Sequence, residues 1–353
     1  MSSPTAHLAS RAACTMGLAT VPSNACQTRN VRARHQTSLT AFCANRLLYA
    51  VIALQARHAA SYPNRSLQVG RAVTCSVALL HSDALMAPIF SEMVRSGMSD
   101  AEHIQRNQRY WNEQARAYAS AGEANWARTE PDWGIFGVPE STLRMLPQDM
   151  RPMKALELGC GTAYISAWMA RRGAHVTGID LSERQLETAR GLQQVHNLSF
   201  DLVHGNCEEL PFADSSFDFV ISEYGAAIWC QPERWLREAF RVTKAGGALH
   251  FLGCSPWVYV CSPASGELPL VERMEHSYFD QYMHDWGEEG VNFNLPLSAW
   301  FRLFHDIGWQ VIDYLEPRPK SPGPERKHHV TLDWSYRYPA EQVWKLAKPT
   351  SHL

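Results

Sequence analysis

The stretch Ala155-Leu-Glu-Leu-Gly-Cys-Gly-Thr-Ala-Tyr164, followed by Val176-Thr-Gly-Ile-Asp180, decides how this chain folds. Its residue types read strand, glycine turn, helix, strand. Leu156 and Leu158 make one apolar face of a short strand. Gly159 and Gly161 let the backbone turn tightly against a ligand, and Thr162 opens a helix that buries Ile165, Trp168 and Met169 and ends at Gly173. The second strand, His175 to Ile179, delivers Asp180 beyond the carboxyl edge of a parallel sheet, the edge at which such sheets bind ligands. An acid there suits a pair of ribose hydroxyls.

Spacing separates the two cofactor classes that use this arrangement. A dinucleotide loop needs a third glycine where the helix begins to pack against a pyrophosphate, and here that position is Tyr164. Glu157, just before the glycines, repels a pyrophosphate and favours a cationic ligand. The Glu-Leu-Gly-Cys-Gly-Thr run with Asp180 resembles the S-adenosyl-L-methionine site of class I methyltransferases, with Ala163 where the commoner pattern has a third glycine. The resemblance implies a Rossmann-like, doubly wound α/β fold with a seven-stranded sheet. It also implies that Glu157, Gly159, Cys160 and Gly161 face the methionine moiety, that Asp180 and Leu181 hold the ribose, and that Gln185 sits near the adenosine.

Further motifs follow in the same order as in that family. Tyr110 and Tyr118 lie on a helix from Ala101 to about Ser120 that resembles the helix folding over the cofactor, with Trp111 expected as a core contact. Ser182-Glu-Arg-Gln185 is a capping box. A third strand, Leu198 to His204, leads to Asn206 and Cys207, where the family often has an acid touching the adenine. Leu210 to Asp218 resembles the loop before strand four in the methyltransferase type 11 family. That strand presents Glu223 to Trp229 at the sheet edge, and strand five is expected at Ala248 to Gly253 after Gly246-Gly247 stops a helix. Residues 254–296, rich in Trp, Tyr and Phe without a clear period, are expected to form a substrate lid. Leu297 to His305 reads as a helix, Trp309 to Leu315 and Val330 to Trp334 as closing strands, and Ala340 to Leu346 as a final helix.

Catalysis in this family is an in-line displacement, so alignment of acceptor and methyl group supplies much of the rate. Where a proton must leave the acceptor, His284, His276, His250 and Glu223 are the candidate bases. No pattern calls for a metal. A binding module without turnover is the first alternative; a nicotinamide oxidoreductase is opposed by Glu157 and Tyr164.

Composition narrows the partners. The 353 residues carry a formal charge of -2, which conceals two unlike parts. Residues 1–97 hold nine Arg, no Lys and only Asp83 and Glu92, whereas the remainder has 24 basic and 33 acidic residues. The acidic remainder, 98–353, is the expected catalytic domain and argues against a nucleic-acid acceptor, leaving a small metabolite. The leader is expected to be largely disordered, either as upstream sequence before a start at Met86, Met93 or Met98 or as an organellar transit peptide. Nine cysteines without a C-x-x-C pair fit a reducing, cytoplasmic setting, and no run approaches the roughly 20 apolar residues of a membrane span. Oligomeric state is not legible.

Overall fold

Side chains alternate across each strand, so a sheet whose two faces are both apolar must be covered on both. The computed structural model describes residues 100–350, and the leader expected at 1–97 lies outside the described residues. Strands β1 (Lys154–Leu158), β2 (His175–Asp180), β3 (Asp201–His204), β4 (Phe217–Glu223), β5 (Thr243–Cys254), β6 (Gln310–Leu315) and β7 (Glu341–Ala347) form one seven-stranded sheet. Its order is β6-β7-β5-β4-β1-β2-β3. Strands β1 to β5 are parallel, and β7 runs antiparallel between β5 and β6. The direction of strand succession reverses between β1 and β4, which opens a crevice at their carboxyl ends.

Seven helices accompany the sheet among the described residues: α1 (Asp100–Trp126), α2 (Tyr164–Arg171), α3 (Glu183–Val195), α4 (Pro232–Val242), α5 (Pro256–Val260), α6 (Leu297–Ile307) and α7 (Leu332–Arg337), besides three single-turn segments. Leu156, Leu158, Val220, Phe251 and Trp344 face one core with Trp235 and Leu236 of α4 and Trp300 and Phe304 of α6. Ala155, Phe219, Ile221, Leu252 and Val343 face the other with Ile165, Trp168 and Met169 of α2. Each such large side chain, fully buried, contributes about 1.5 to 3 kcal/mol. Ser182 caps α3 by accepting from the Gln185 amide at 3.2 Å. Among the described residues no helix is long and apolar enough to cross a membrane.

Several expected boundaries move. Helix α1 runs on to Trp126 because its last turn is anchored: Trp126, with no exposed surface, donates its indole N–H to the Thr162 carbonyl at 2.7 Å. The third strand is shorter than expected, and β5 begins at Thr243, so Gly246 and Gly247 lie within a strand rather than ending a helix. The chain end differs from the expected order. Val330–Thr331 pairs with Arg326–Lys327 in a small hairpin, Thr331 caps α7, and the closing strand is Glu341–Ala347 where a helix was expected. Period two explains this strand: Trp344 and Leu346 enter one core and Val343 the other.

The expected lid, 254–296, divides in two. Helix α5 and the loop to Leu270 pack with Val330, Trp334 and Ala340 in a separate apolar cluster. Tyr282, Val291, Phe293 and Leu295 instead join the main core. The second half, with its hairpin Met283–Asp285 and Val291–Phe293, is fixed to α1 by Asn107, which donates to the Val291 carbonyl at 2.9 Å and accepts from the Val291 amide at 2.7 Å.

Candidate active site

The turn after β1 is shaped by backbone geometry. Gly159 has φ +71°, and a Cβ there would stand 2.7 Å from the Gly225 Cα and 2.8 Å from the Ala226 nitrogen. Only a glycine lets the ends of β1 and β4 approach so closely. Gly161 has φ +52°, and a Cβ there would meet nothing within 4 Å, because the space above it is open. Ala163 also adopts a left-handed conformation, φ 59°, just before α2. A non-glycine residue held there costs of order 1 kcal/mol, a larger perturbation than a methyl group alone.

Carboxylates fasten these loops. Asp180 accepts from the Gly161 amide at 2.7 Å and from the Ser182 amide at 2.8 Å. Glu157 accepts from the Ser166 amide at 2.7 Å and its hydroxyl at 2.5 Å. Glu223 accepts from the Tyr164 hydroxyl at 2.5 Å and the Gly134 amide at 2.7 Å. Burial raises all three acids above the usual carboxylate range, Glu157 to about 8, against the opposing effect of these hydrogen bonds.

The three acids line one cavity of about 710 Å³ at the carboxyl edge of the sheet. Into it the structure brings all twelve residues that the sequence nominated for the cofactor: Tyr110, Tyr118, Glu157, Gly159, Cys160, Gly161, Asp180, Leu181, Gln185, Asn206, Cys207 and Glu223. Trp111, expected in the core, lines it too. It meets Tyr118 edge-on at 5.2 Å and Trp229 at 5.0 Å, while Tyr110 stacks on Trp229 at 5.6 Å. Four buried polar atoms of lining residues have no hydrogen-bond partner among the described residues: Gln185 Oε1, Glu208 Oε2, Trp229 Nε1 and Asn292 Nδ2, of which Glu208 Oε2 still has an ion pair with Arg234 at 3.9 Å. Buried polar atoms that are left unpaired are costly, and those on the cavity wall are free to meet donors and acceptors of a ligand.

Residues 156–251 match the family model described as a methyltransferase domain. Demethylmenaquinone methyltransferases from Listeria welshimeri and Listeria monocytogenes are 30% and 42% identical to the chain over 179 residues, which is 45% of this chain and 71% of each relative. The chain is a class I S-adenosylmethionine-dependent methyltransferase of the type 11 family. A solved S-adenosylmethionine-dependent methyltransferase from Mesorhizobium loti superposes with a TM-score of 0.47 at 21% identity, covering 60% of this chain and 99% of that one.

The methyltransferase transfers a methyl group from S-adenosylmethionine to an acceptor. Its cavity fits that cofactor chemically: buried acids suit a cationic sulfonium and ammonium, and the open space over Gly161 leaves room beside them. The same cavity is lined further by Tyr224, Cys254, Val258, Tyr259 and Ser262 together with Leu268, Arg326, His328 and His329. His329 Nε2 lies 4.0 Å from Cys254 Sγ, and burial pushes its imidazole down to about 4.

The nominated histidines lie elsewhere. His276 is exposed and does not line the cavity. His284 is likewise not a lining residue: its ring stacks on Tyr259 at 4.0 Å, and burial lowers it to about 3. His250 is also outside, hydrogen-bonded through Nδ1 to the Met145 carbonyl at 2.7 Å and lowered by burial to about 4. Of the candidate bases only Glu223 reaches the cavity. Tyr282 is buried in the main core and donates to Glu233 at 2.5 Å, whereas Trp286 stands at the cavity mouth. Residues 317–327 read from the sequence as a Pro- and Lys-rich connector, and neither they nor His328 and His329 carry a local sign of the meeting with Cys254, 75 residues back in the chain.

Proposed function

We propose that the twelve nominated residues hold S-adenosylmethionine and that a small, partly apolar or aromatic molecule occupies the Tyr224, Cys254 and Tyr259 side as the methyl acceptor. The observation that carries this reading is a single cavity joining a wall of buried acids to an aromatic wall at the carboxyl edge of the sheet. In its bound form the cofactor supplies an electrophilic methyl carbon. Asp180 offers the ribose hydroxyls its remaining lone pairs, and Gln185 Oε1 is an unpaired acceptor for a donor on the adenosine side. Tyr110, Trp111 and Trp229 cover the site and exclude water.

Exposed apolar surface on Tyr118, Leu268 and Trp286 at the mouth favours an acceptor with an apolar portion. Alignment of acceptor and methyl group provides the rate, and Glu223 is the lining carboxyl proposed to accept a proton where one must leave. We further propose that residues 98–353 act as one catalytic domain in the cytoplasm; the five described cysteines are all unpaired, as a reducing compartment would keep them. Calorimetric titration with S-adenosylhomocysteine, followed by labelled-methyl transfer to fractions of a metabolite extract, tests the reading. Absence of S-adenosylhomocysteine binding would overturn it.

A further inference from the structure

Charge is divided unevenly around the cavity. Its acids are Glu157, Asp180, Glu208, Glu223 and Glu289. Glu208 is paired with His103 of α1 at 2.8 Å, and Glu289 stands close enough to Tyr110 of α1 to act on its phenol. All but Glu223 therefore belong to the cofactor side, and Glu223 lies at the boundary. Among the described residues, every basic side chain that lines the cavity comes from one turn, Arg326, His328 and His329.

That turn is built rather than incidental. Arg326–Lys327 and Val330–Thr331 pair antiparallel, leaving His328 and His329 as the turn residues, with His328 at φ 51°. Val330, with no exposed surface, anchors the hairpin in the same apolar cluster as Val258 and Tyr259. The His329 carbonyl accepts from the Leu270 amide at 2.9 Å, tying the turn to the loop after α5. Arg326 uses its Nε to donate to the His328 carbonyl at 2.6 Å and has no carboxylate partner among the described residues. Arg326 is itself exposed, so its guanidinium stands at the solvent-facing rim of the cavity, tethered to the turn through Nε with its terminal nitrogens open to water or to a ligand.

We propose that this turn selects the acceptor: the group methylated is an oxygen or sulfur acid bound as its anion, and an amine is disfavoured. The inference rests on the cofactor and acceptor reading given above. An anion beside Arg326 faces a cationic methyl donor held by acids across the cavity, so each charge has a complement. The acceptor's lone pair forms the bond to carbon, the carbon–sulfur bond breaks with its electrons going to sulfur, and both charges vanish without a proton to dispose of. An amine acceptor would instead gain a positive charge next to Arg326. His329 is a neutral imidazole at pH 7, since burial, His328 and Arg326 all lower it, and the acid therefore loses its proton to solvent before it binds as the anion.

The test uses 4-nitrophenol, whose acid and anion differ in colour and whose ionisation falls near neutrality, with the full chain saturated by S-adenosylhomocysteine. The bound indicator should ionise about one pH unit lower than the free one, about a tenfold rise in the ratio of anion to acid. Arg326→Gln should abolish that shift and Arg326→Lys should retain most of it, with S-adenosylhomocysteine affinity unchanged in both. The neutral amine 4-nitroaniline should bind about tenfold more weakly than the indicator. An indicator that does not bind, that ionises at or above its free midpoint, or that ignores Arg326→Gln overturns the proposal. Failure of S-adenosylhomocysteine to bind the unsubstituted chain is a separate result and overturns the cofactor reading instead.

Discussion

Replacing Glu157 by Gln changes the chemistry of one buried carboxyl and leaves its shape alone. Both hydrogen bonds recorded for Glu157 fall on Oε2, from the Ser166 amide and hydroxyl, so a carboxamide oxygen in that place keeps them. What is lost is ionisation. Burial raises the Glu157 carboxyl from the usual 4.5 to about 8, which at about 1.4 kcal/mol per unit is a ceiling of about 5 kcal/mol. The folded chain holds this proton more tightly than the unfolded chain does. Between pH 4.5 and about 8 the native state therefore binds more protons, and stability falls as pH rises through that window. Glu341 is also raised to about 8 by burial and gives a slope of its own, so the informative quantity is the difference between parent and variant. Denaturant melts of the ligand-free chain should give matching stabilities near pH 4.5 and a Glu157→Gln variant that is the more stable by several kcal/mol, at most about 5, at pH 8 to 9. Affinity should move the other way: calorimetry with S-adenosylmethionine should show a loss of about 1.5 to 3 kcal/mol, roughly ten- to a hundredfold. Parallel stability curves across that window, or undiminished affinity in the variant, would refute the argument.

Two further substitutions probe the turn itself. Gly159→Ala sets a Cβ against the Gly225 backbone at 2.7 Å with φ +71°, and should cost about 2 kcal/mol or more; an unchanged melting midpoint would show that β1 and β4 can part without loss. Trp126→Phe removes the indole donor to the buried Thr162 carbonyl and should cost about 1 to 3 kcal/mol in a denaturant melt, whereas a loss well under 1 kcal/mol would mean that the end of α1 does not anchor the glycine turn.

The cofactor half of the site was legible because its residues are local. Gly159, Gly161 and Asp180 sit at the ends of two adjacent strands, and strand periodicity alone carries them to one edge. The order of the sheet was likewise within reach up to β5. The last strand was not, because Glu341-Gln-Val-Trp-Lys-Leu-Ala has apolar residues at spacings that a short helix would also show, and its placement depends on both neighbours, β5 and β6. Trp111 was read as core because an aromatic residue on an amphipathic helix is usually buried against the sheet; its partner Trp229 lies more than a hundred residues away. The acceptor wall was illegible for the same reason. Cys254 and His329 meet only through a cluster that joins α5 to the 326–331 hairpin, and nothing in either segment announces the other.

Four buried carboxyls, Glu157, Asp180, Glu223 and Glu341, are all pushed up by burial, a costly choice in a fold selected for stability alone. Each also satisfies backbone that the turns leave unpaired: Ser166, Gly161 with Ser182, Gly134 and Ile135 donate to them in that order. Glu341 stands behind the cavity wall, also accepting from the Tyr224 hydroxyl at 2.7 Å, while the other three line the cavity. The same atoms therefore set the negative field at the cofactor end and hold the loops that shape it. Truncation to Ala mixes these roles, because Asp180→Ala frees the Gly161 and Ser182 amides as well as removing a charge. Asp180→Asn keeps an acceptor for one amide and removes the charge, so the difference between the two variants isolates what the loop fastening contributes. A ligand cation at this end lowers the cost of ionising the acids without altering a single loop bond, which is why binding and stability should respond to pH in opposite senses in this protein.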